Sequence, residues 1–86
     1  MTKEQIAAFC IDRLAVILRI PKDTIDANAK FSRLGLDSAM TVYLQMDLED
    51  KLDRELPLDL FYDHPSVDAL SAYLAEKHAA RGDVTS

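Results

Sequence analysis

Ser38 is preceded by Asp37, and His64 and His78 lie further along the chain, so a nucleophilic triad is the first chemistry to test. The serine's surroundings read Gly35-Leu36-Asp37-Ser38-Ala39, which is not the G-x-S-x-G elbow that presents a hydrolase nucleophile. One small domain also offers little room for an oxyanion hole. Asp59, Asp63 and His64 supply metal-ligand atoms, but their spacing matches no ligand pattern, and His64 before Pro65 reads as a turn residue. The acids after Ser38 lack the D-x-D-x-D-G loop of a calcium-binding hand. The segment with a usable arrangement is LGLDSAM, Leu34 to Met40. If Asp37 caps a helix, Ser38 takes its first position with the hydroxyl toward solvent, beside the unpaired N–H groups and positive dipole end. A phosphate ester on Ser38 is favoured in that place. Gly35 permits a tight turn, Leu34 and Leu36 pin the loop, and Asp37 has the chemistry to hold a divalent cation near a phosphate donor.

Four helical segments must position that serine. Thr2 and Gln5 have the spacing of a capping box, and Ile6, Phe9, Cys10, Leu14 and Ile17 follow at helical intervals, predicting a first helix over Lys3 to Leu18. Pro21 cannot continue it, and Pro21 to Leu36 reads as a long ordered loop anchored by Ile25, Phe31 and Leu34. A second helix covers Ser38 to Asp53, with Leu44, Leu48 and Leu52 on its core stripe and Val42, Met46, Glu49 and Asp50 to the sides or opposite. Pro57 to Asp63 forms one or two turns with Leu60 and Phe61 inward. A last helix opens at Pro65-Ser66, carries Val67, Leu70 and Leu74 on one side, and fades by Ala80. The predicted fold is all-α: a small antiparallel four-helix bundle, three helices long and one short. Residues 1–80 form the domain, and 81–86 are expected to be a flexible tail.

Eighty-six residues make one domain, and 49% apolar with 29% charged residues is ordinary globular material. No apolar run is long enough for a membrane span, and the N-terminus lacks the regions of a signal peptide, which together lead us to expect a cytoplasmic protein. The single cysteine, Cys10, excludes an internal disulfide and is expected to pack as a small apolar residue. The net charge is −5, and Asp37 to Asp68 holds nine acids against Lys51 and Arg54. Such a field repels nucleic acid and steers toward basic protein surfaces.

The L-G-x-D-S arrangement at Leu34 to Ser38 resembles the attachment motif of the acyl carrier proteins, and the order of elements from about Ile6 to Lys77 is similar to theirs. Phe61 to Leu74, FYDHPSVDALSAYL, resembles the F-x-D-H-P-[ST]-V-x-x-L signature of polyketide-type carriers. Peptidyl carriers usually show G-G-[HD]-S where this chain has Gly35-Leu36-Asp37-Ser38. Met40, Tyr43 and Gln45 stand where fatty-acid carriers tend to be acidic, which points to a specialised carrier. The resemblance implies a non-catalytic, monomeric protein with 4′-phosphopantetheine from coenzyme A on Ser38, no resident metal, and Asp37 assisting the installation. It carries acyl groups as thioesters on the arm's thiol. Implied partners are a phosphopantetheinyl transferase, an acyl ligase or acyltransferase, and synthase enzymes with basic docking surfaces. These would meet Met40, Val42, Tyr43, Met46, Glu49 and Asp50. Three readings stay beside it: an aminoacyl or peptidyl carrier, an unmodified helical interaction module, and a hydrolase using Ser38.

Overall fold

A computed structural model describes residues 1–85, with side chains through Lys77. The first helix, α1 (Lys3–Leu18), begins at the capping box read from the sequence: Gln5 N–H donates to Thr2 Oγ1 at 3.1 Å, and Thr2 N–H donates to Gln5 Oε1 at 2.9 Å. Ile6, Cys10 and Leu14 are fully buried on one stripe, while Phe9 and Ile17 pack at its edges. The helix ends at Arg19 in the left-handed conformation, whose N–H donates to the Ala15 carbonyl.

The segment from Pro21 to Leu36 is ordered but less irregular than its composition suggests. It contains a 3-10 turn at Lys22–Thr24 and a one-turn helix, α2 (Phe31–Leu34). Four residues are too few to show a helical period, so no pattern could reveal α2 in advance. Tertiary bonds hold it: Phe31 N–H donates to the Pro65 carbonyl at 2.7 Å, and Asp68 N–H donates to the Ala27 carbonyl at 2.8 Å. Lys30 and Ser66 form a lone antiparallel bridge at the same place. Ile25 and Phe31 are buried and Leu34 is half-buried, so the expected anchors do anchor the loop.

Helix α3 (Ser38–Leu52) buries Leu44, Leu48 and Leu52 as the spacing predicts, and also Thr41, whose hydroxyl donates to the Asp37 carbonyl at 2.8 Å. Asp53 is not its last helical residue; it is the left-handed cap that stops it. Short α4 (Asp59–Asp63) turns Leu60 and Phe61 into the core, and Phe61 meets Phe31 with ring centroids 6.4 Å apart. Helix α5 (Val67–Thr85) starts where Ser66 Oγ accepts from Ala69 N–H at 3.1 Å. Its backbone runs past the Ala80 at which the apolar pattern fades, and Ala79, Ala80 and Arg81 are strong helix formers. The side chains beyond Lys77, His78 included, and all of Ser86 lie outside the described residues, and so does the expectation of a flexible tail at 81–86.

Helix α1 packs against both α5 and α3. Lys3 Nζ reaches Asp68 Oδ1 at 2.8 Å, and that hydrogen bond, with the charge of Asp68, holds the lysine above its ordinary pKa. Among the described residues no helix is long and apolar enough to cross a membrane. Replacing Leu48, fully buried on the α3 stripe, by Ala is expected to cost about 3 kcal/mol in urea unfolding, whereas Val16→Ala on the exposed side of α1 should stay within about 0.5 kcal/mol. Equal losses at the two positions would contradict this placement of the core.

Candidate functional site

The start of α3 is defined by three neighbouring constraints. Gly35 closes α2 with φ of 94°, a conformation that side chains rarely adopt, and its N–H turns back to the Phe31 and Ser32 carbonyls. Leu36 follows and is buried, its N–H donating to the Phe31 carbonyl at 3.0 Å. Asp37 is extended, and its Oδ1 accepts from Met40 N–H at 2.8 Å. Ser38 is thereby placed at the first position of α3, exposed, as the sequence predicts.

Its surroundings suit a phosphate ester. Asp37 answers the N–H of Met40, while those of Ser38 and Ala39 have no protein acceptor among the described residues. They stand at the positive end of a 15-residue helix, where a phosphate is stabilised. His64, a candidate base in the sequence, ends α4 with its ring stacked on Tyr73, centroids 4.3 Å apart. Asp59, Asp63 and His64 form no metal centre, and among the described residues no cluster of three or more His, Cys, Asp or Glu could hold an ion. Cys10 is fully buried in the core, and desolvation pushes its thiol up to about 12. That leaves it a packing residue.

From Ser38 an exposed stripe runs along α3 through Val42, Met46 and Asp50, with Tyr43 beside it. Tyr43 and Met46 are each 58% exposed, large for apolar residues on a small domain. Met40 differs from them, being half-buried against the core. Glu49 is also half-buried, and its Oε2 accepts from Leu56 N–H at 2.8 Å while Gln45 Nε2 donates to the Leu56 carbonyl at 2.7 Å. Two side chains of α3 thus hold both backbone polar groups of Leu56, in the linker that leads into α4. Tyr62, on α4, is 59% exposed. With Phe31, Leu36, Thr41 and Phe61 it lines a hollow of about 150 Å³ next to the start of α3. The signal for Tyr62 was available: once Leu60 and Phe61 point inward on a single short helix, the next residue points out.

The helical scaffold presents the Ser38 hydroxyl on a capped helix start, a place suited to bearing a phosphate ester. The family described as "Phosphopantetheine attachment site" matches residues 11–74. A component of the phenolphthiocerol/phthiocerol polyketide synthase of Mycobacterium tuberculosis is 33% identical over 66 residues, 77% of this chain, and the match spans only 4% of that far longer protein. A free-standing peptidyl carrier protein from an uncharacterized Acinetobacter baumannii secondary metabolic pathway has a TM-score of 0.85 and 34% identity, covering 88% of this chain and 95% of its own. The HMG-ACPI domain from the CurA module of Lyngbya majuscula has a TM-score of 0.84 and 27% identity, covering 94% and 82%. The chain belongs to the phosphopantetheine-attachment family: it is a carrier domain of the polyketide-synthase type, bearing a covalent 4′-phosphopantetheine and catalysing nothing itself. Phosphopantetheinyl transferases modify such domains, and synthase enzymes act on what they bear.

The clamp separates two acids that the sequence groups together. Glu49→Ala is expected to lower stability by about 1–2 kcal/mol, because it leaves the Leu56 N–H without its charged acceptor, while Asp50→Ala should change it by less than about 0.5 kcal/mol. Urea midpoints of the two variants decide this, and a Glu49 loss no larger than that of Asp50 would dissolve the clamp.

Proposed function

We propose that Ser38 is the attachment point of the arm, and that the protein carries an acyl intermediate as a thioester for a specialised lipid or polyketide-type pathway. The observation that carries this is the exposed Ser38 hydroxyl at the first position of a helix capped by Asp37. In the transfer from coenzyme A the serine oxygen takes the phosphoryl end of the arm, and the nucleotide part leaves as the 3′,5′-bisphosphate. The free N–H groups of Ser38 and Ala39 favour the phosphodiester once it stands there. Asp37 is exposed and caps the helix through Oδ1, which leaves Oδ2 available to a divalent cation that accompanies the donor.

The carrier unit is residues 1–80. Partners dock on the stripe that starts at Ser38, with Val42, Tyr43 and Met46 as the apolar centre and Asp50 facing basic residues of the partner. Met40 supports this face from its half-buried position. Glu49 contributes through the linker it holds as much as through its charge. Tethering raises the local concentration of the intermediate at each partner while leaving it free to visit several.

A second reading, an aminoacyl or peptidyl cargo, draws support from the similarity to the Acinetobacter baumannii peptidyl carrier. The sequence at Gly35-Leu36-Asp37-Ser38 and the polyketide synthase relatives favour the acyl reading. Loading the holo protein with a panel of acyl ligases and amino-acid-activating enzymes separates the two.

Incubation with coenzyme A, magnesium and a broad phosphopantetheinyl transferase should add one phosphopantetheine by intact mass, and Ser38→Ala should add none. The native thiol count should rise from zero to one on modification, since Cys10 is buried and the new thiol is at the end of the arm. A folded sample that gains no mass with transferases of both fatty-acid and secondary-pathway type would favour an unmodified interaction module instead.

A further inference from the structure

Gln45 is a half-buried polar residue of α3 whose amide is spent on the chain's own backbone. Its Nε2 donates to the Leu56 carbonyl at 2.7 Å, and Glu49, one turn further on, accepts from Leu56 N–H at 2.8 Å. Leu56 is buried, and the polar groups of a buried backbone need partners. With an apolar side chain at position 45 the Leu56 carbonyl loses its donor. It must then stay unanswered, at a cost, or turn toward water and carry the linker with it.

A shift at Leu56 does not stop there. Pro57 follows with its restricted φ, Leu60 N–H donates to the Pro57 carbonyl and Phe61 N–H to the Leu58 carbonyl, each at 3.1 Å. Leu56 therefore leads straight into the hydrogen-bonded turns of α4. That helix has five residues, too few to stand alone, and the close helix pairs of the fold are α1 with α5 and α1 with α3. Its place is set by the buried Leu60 and Phe61 and by what holds its two ends. At the start these are the Leu56 bonds, and just past its finish the Pro65 carbonyl accepts from Phe31 N–H at 2.7 Å. Tyr62, exposed on α4, shares a hollow with Leu36 and Thr41, the buried residues on either side of Ser38.

We propose that Gln45 is a positioning residue for installation of the arm: through Leu56 it sets α4 so that Tyr62 stands by the start of α3 as a contact for the phosphopantetheinyl transferase. This rests on the reading of Ser38 as the attachment point. An enzyme that brings coenzyme A to the Ser38 hydroxyl has to cover the surface around it, and Tyr62 is a large exposed group lining the hollow beside that surface. An aromatic ring with a polar tip suits such a contact. Gln45 itself is roughly 10 Å along α3 from Ser38, at 1.5 Å of rise per residue. Its loss should act on binding of the carrier and leave the chemical step alone.

The test is the rate of transfer from coenzyme A onto the full chain, with magnesium and a broad phosphopantetheinyl transferase, followed by intact mass at varied carrier concentration. Gln45→Met, of similar length but without the donor, is expected to raise the KM for the carrier about threefold and to keep kcat within about twofold, the pattern of lost binding rather than lost chemistry. Tyr62→Ala should raise KM at least as much. Adding Gln45→Met to Tyr62→Ala should change nothing further, because the two act through one contact. If Gln45→Met fails to fold, Gln45→Asn, whose amide is one methylene short of Leu56, takes its place with the same expectation. An unchanged KM, a fall in kcat alone, or a Gln45 effect that persists in full beside Tyr62→Ala would overturn the proposal. A wild-type chain that takes no arm removes the Ser38 reading and this inference with it, whereas normal modification of wild type and Gln45 variant alike removes this inference alone.

Discussion

The hydrogen bond from Met40 N–H to the Asp37 carboxylate fixes where α3 begins, and the placement of every residue at the site follows from it. Leu36 on one side and Thr41 on the other are buried, so a helix that started one residue earlier or later would turn one of them out or turn Ser38 in. The Thr41 hydroxyl and N–H both point back to the Asp37 carbonyl, which ties the first turn to the cap twice more. Ser38 is exposed because Leu36 and Thr41 are buried on either side of it. Gly35 serves the same end by closing α2 tightly enough to bring Leu36 into the core within one residue.

Much of this was legible beforehand, and the reason is periodicity. The stripes Ile6-Cys10-Leu14 and Leu44-Leu48-Leu52 sit in helices long enough to repeat, and the Thr2–Gln5 and Asp37 caps are local, so each could be read from a few adjacent residues. What escaped was set by partners distant in sequence. Helix α2 exists because Phe31 finds Pro65, and nothing within Phe31–Leu34 announces that bond. The left-handed caps at Arg19 and Asp53 escaped for another reason: with only two glycines in the chain, the usual punctuation was missing, and ordinary residues adopt the strained conformation instead. The candidate site was more legible than the loop around it, since a capped serine is a local feature and the hollow lined by Tyr62 is not.

Charge shows the same division. As a string, Asp37 to Asp68 is one acidic block, and it invites a reading as a single field. Folding assigns its members different work. Asp37 caps a helix, Asp47 meets Arg13 Nε at 2.9 Å, Glu49 holds the linker, and Asp68 meets Lys3. The acids left exposed and without a side-chain partner among the described residues are fewer: Asp50 on α3, Asp53 at its cap, Glu55 beyond it, and Asp59 and Asp63 at the two ends of α4. On the proposed docking face a partner drawn by charge meets Asp50, Asp53 and Glu55 around the end of α3 away from Ser38, and apolar contacts nearer the serine.

That gradient suits a carrier, which must bind many enzymes and be released by each. Val42, Tyr43, Met46 and Tyr62 are large enough to make a specific contact but too few for a lasting one, because stable complexes bury on the order of 1,600 Å² in total. Exposed acids raise the rate of encounter without slowing departure much, since charges at the rim of an interface act chiefly on association. Rigidity has to come from elsewhere. Gln45 and Glu49 supply it by gripping the carbonyl and the N–H of Leu56, so that α4 and its Tyr62 keep their distance from α3 whether or not a partner is present. The proposed docking face, assembled from two helices, can be both weak and selective only if the angle between them is set in advance, and here that angle rests on the two bonds that hold Leu56.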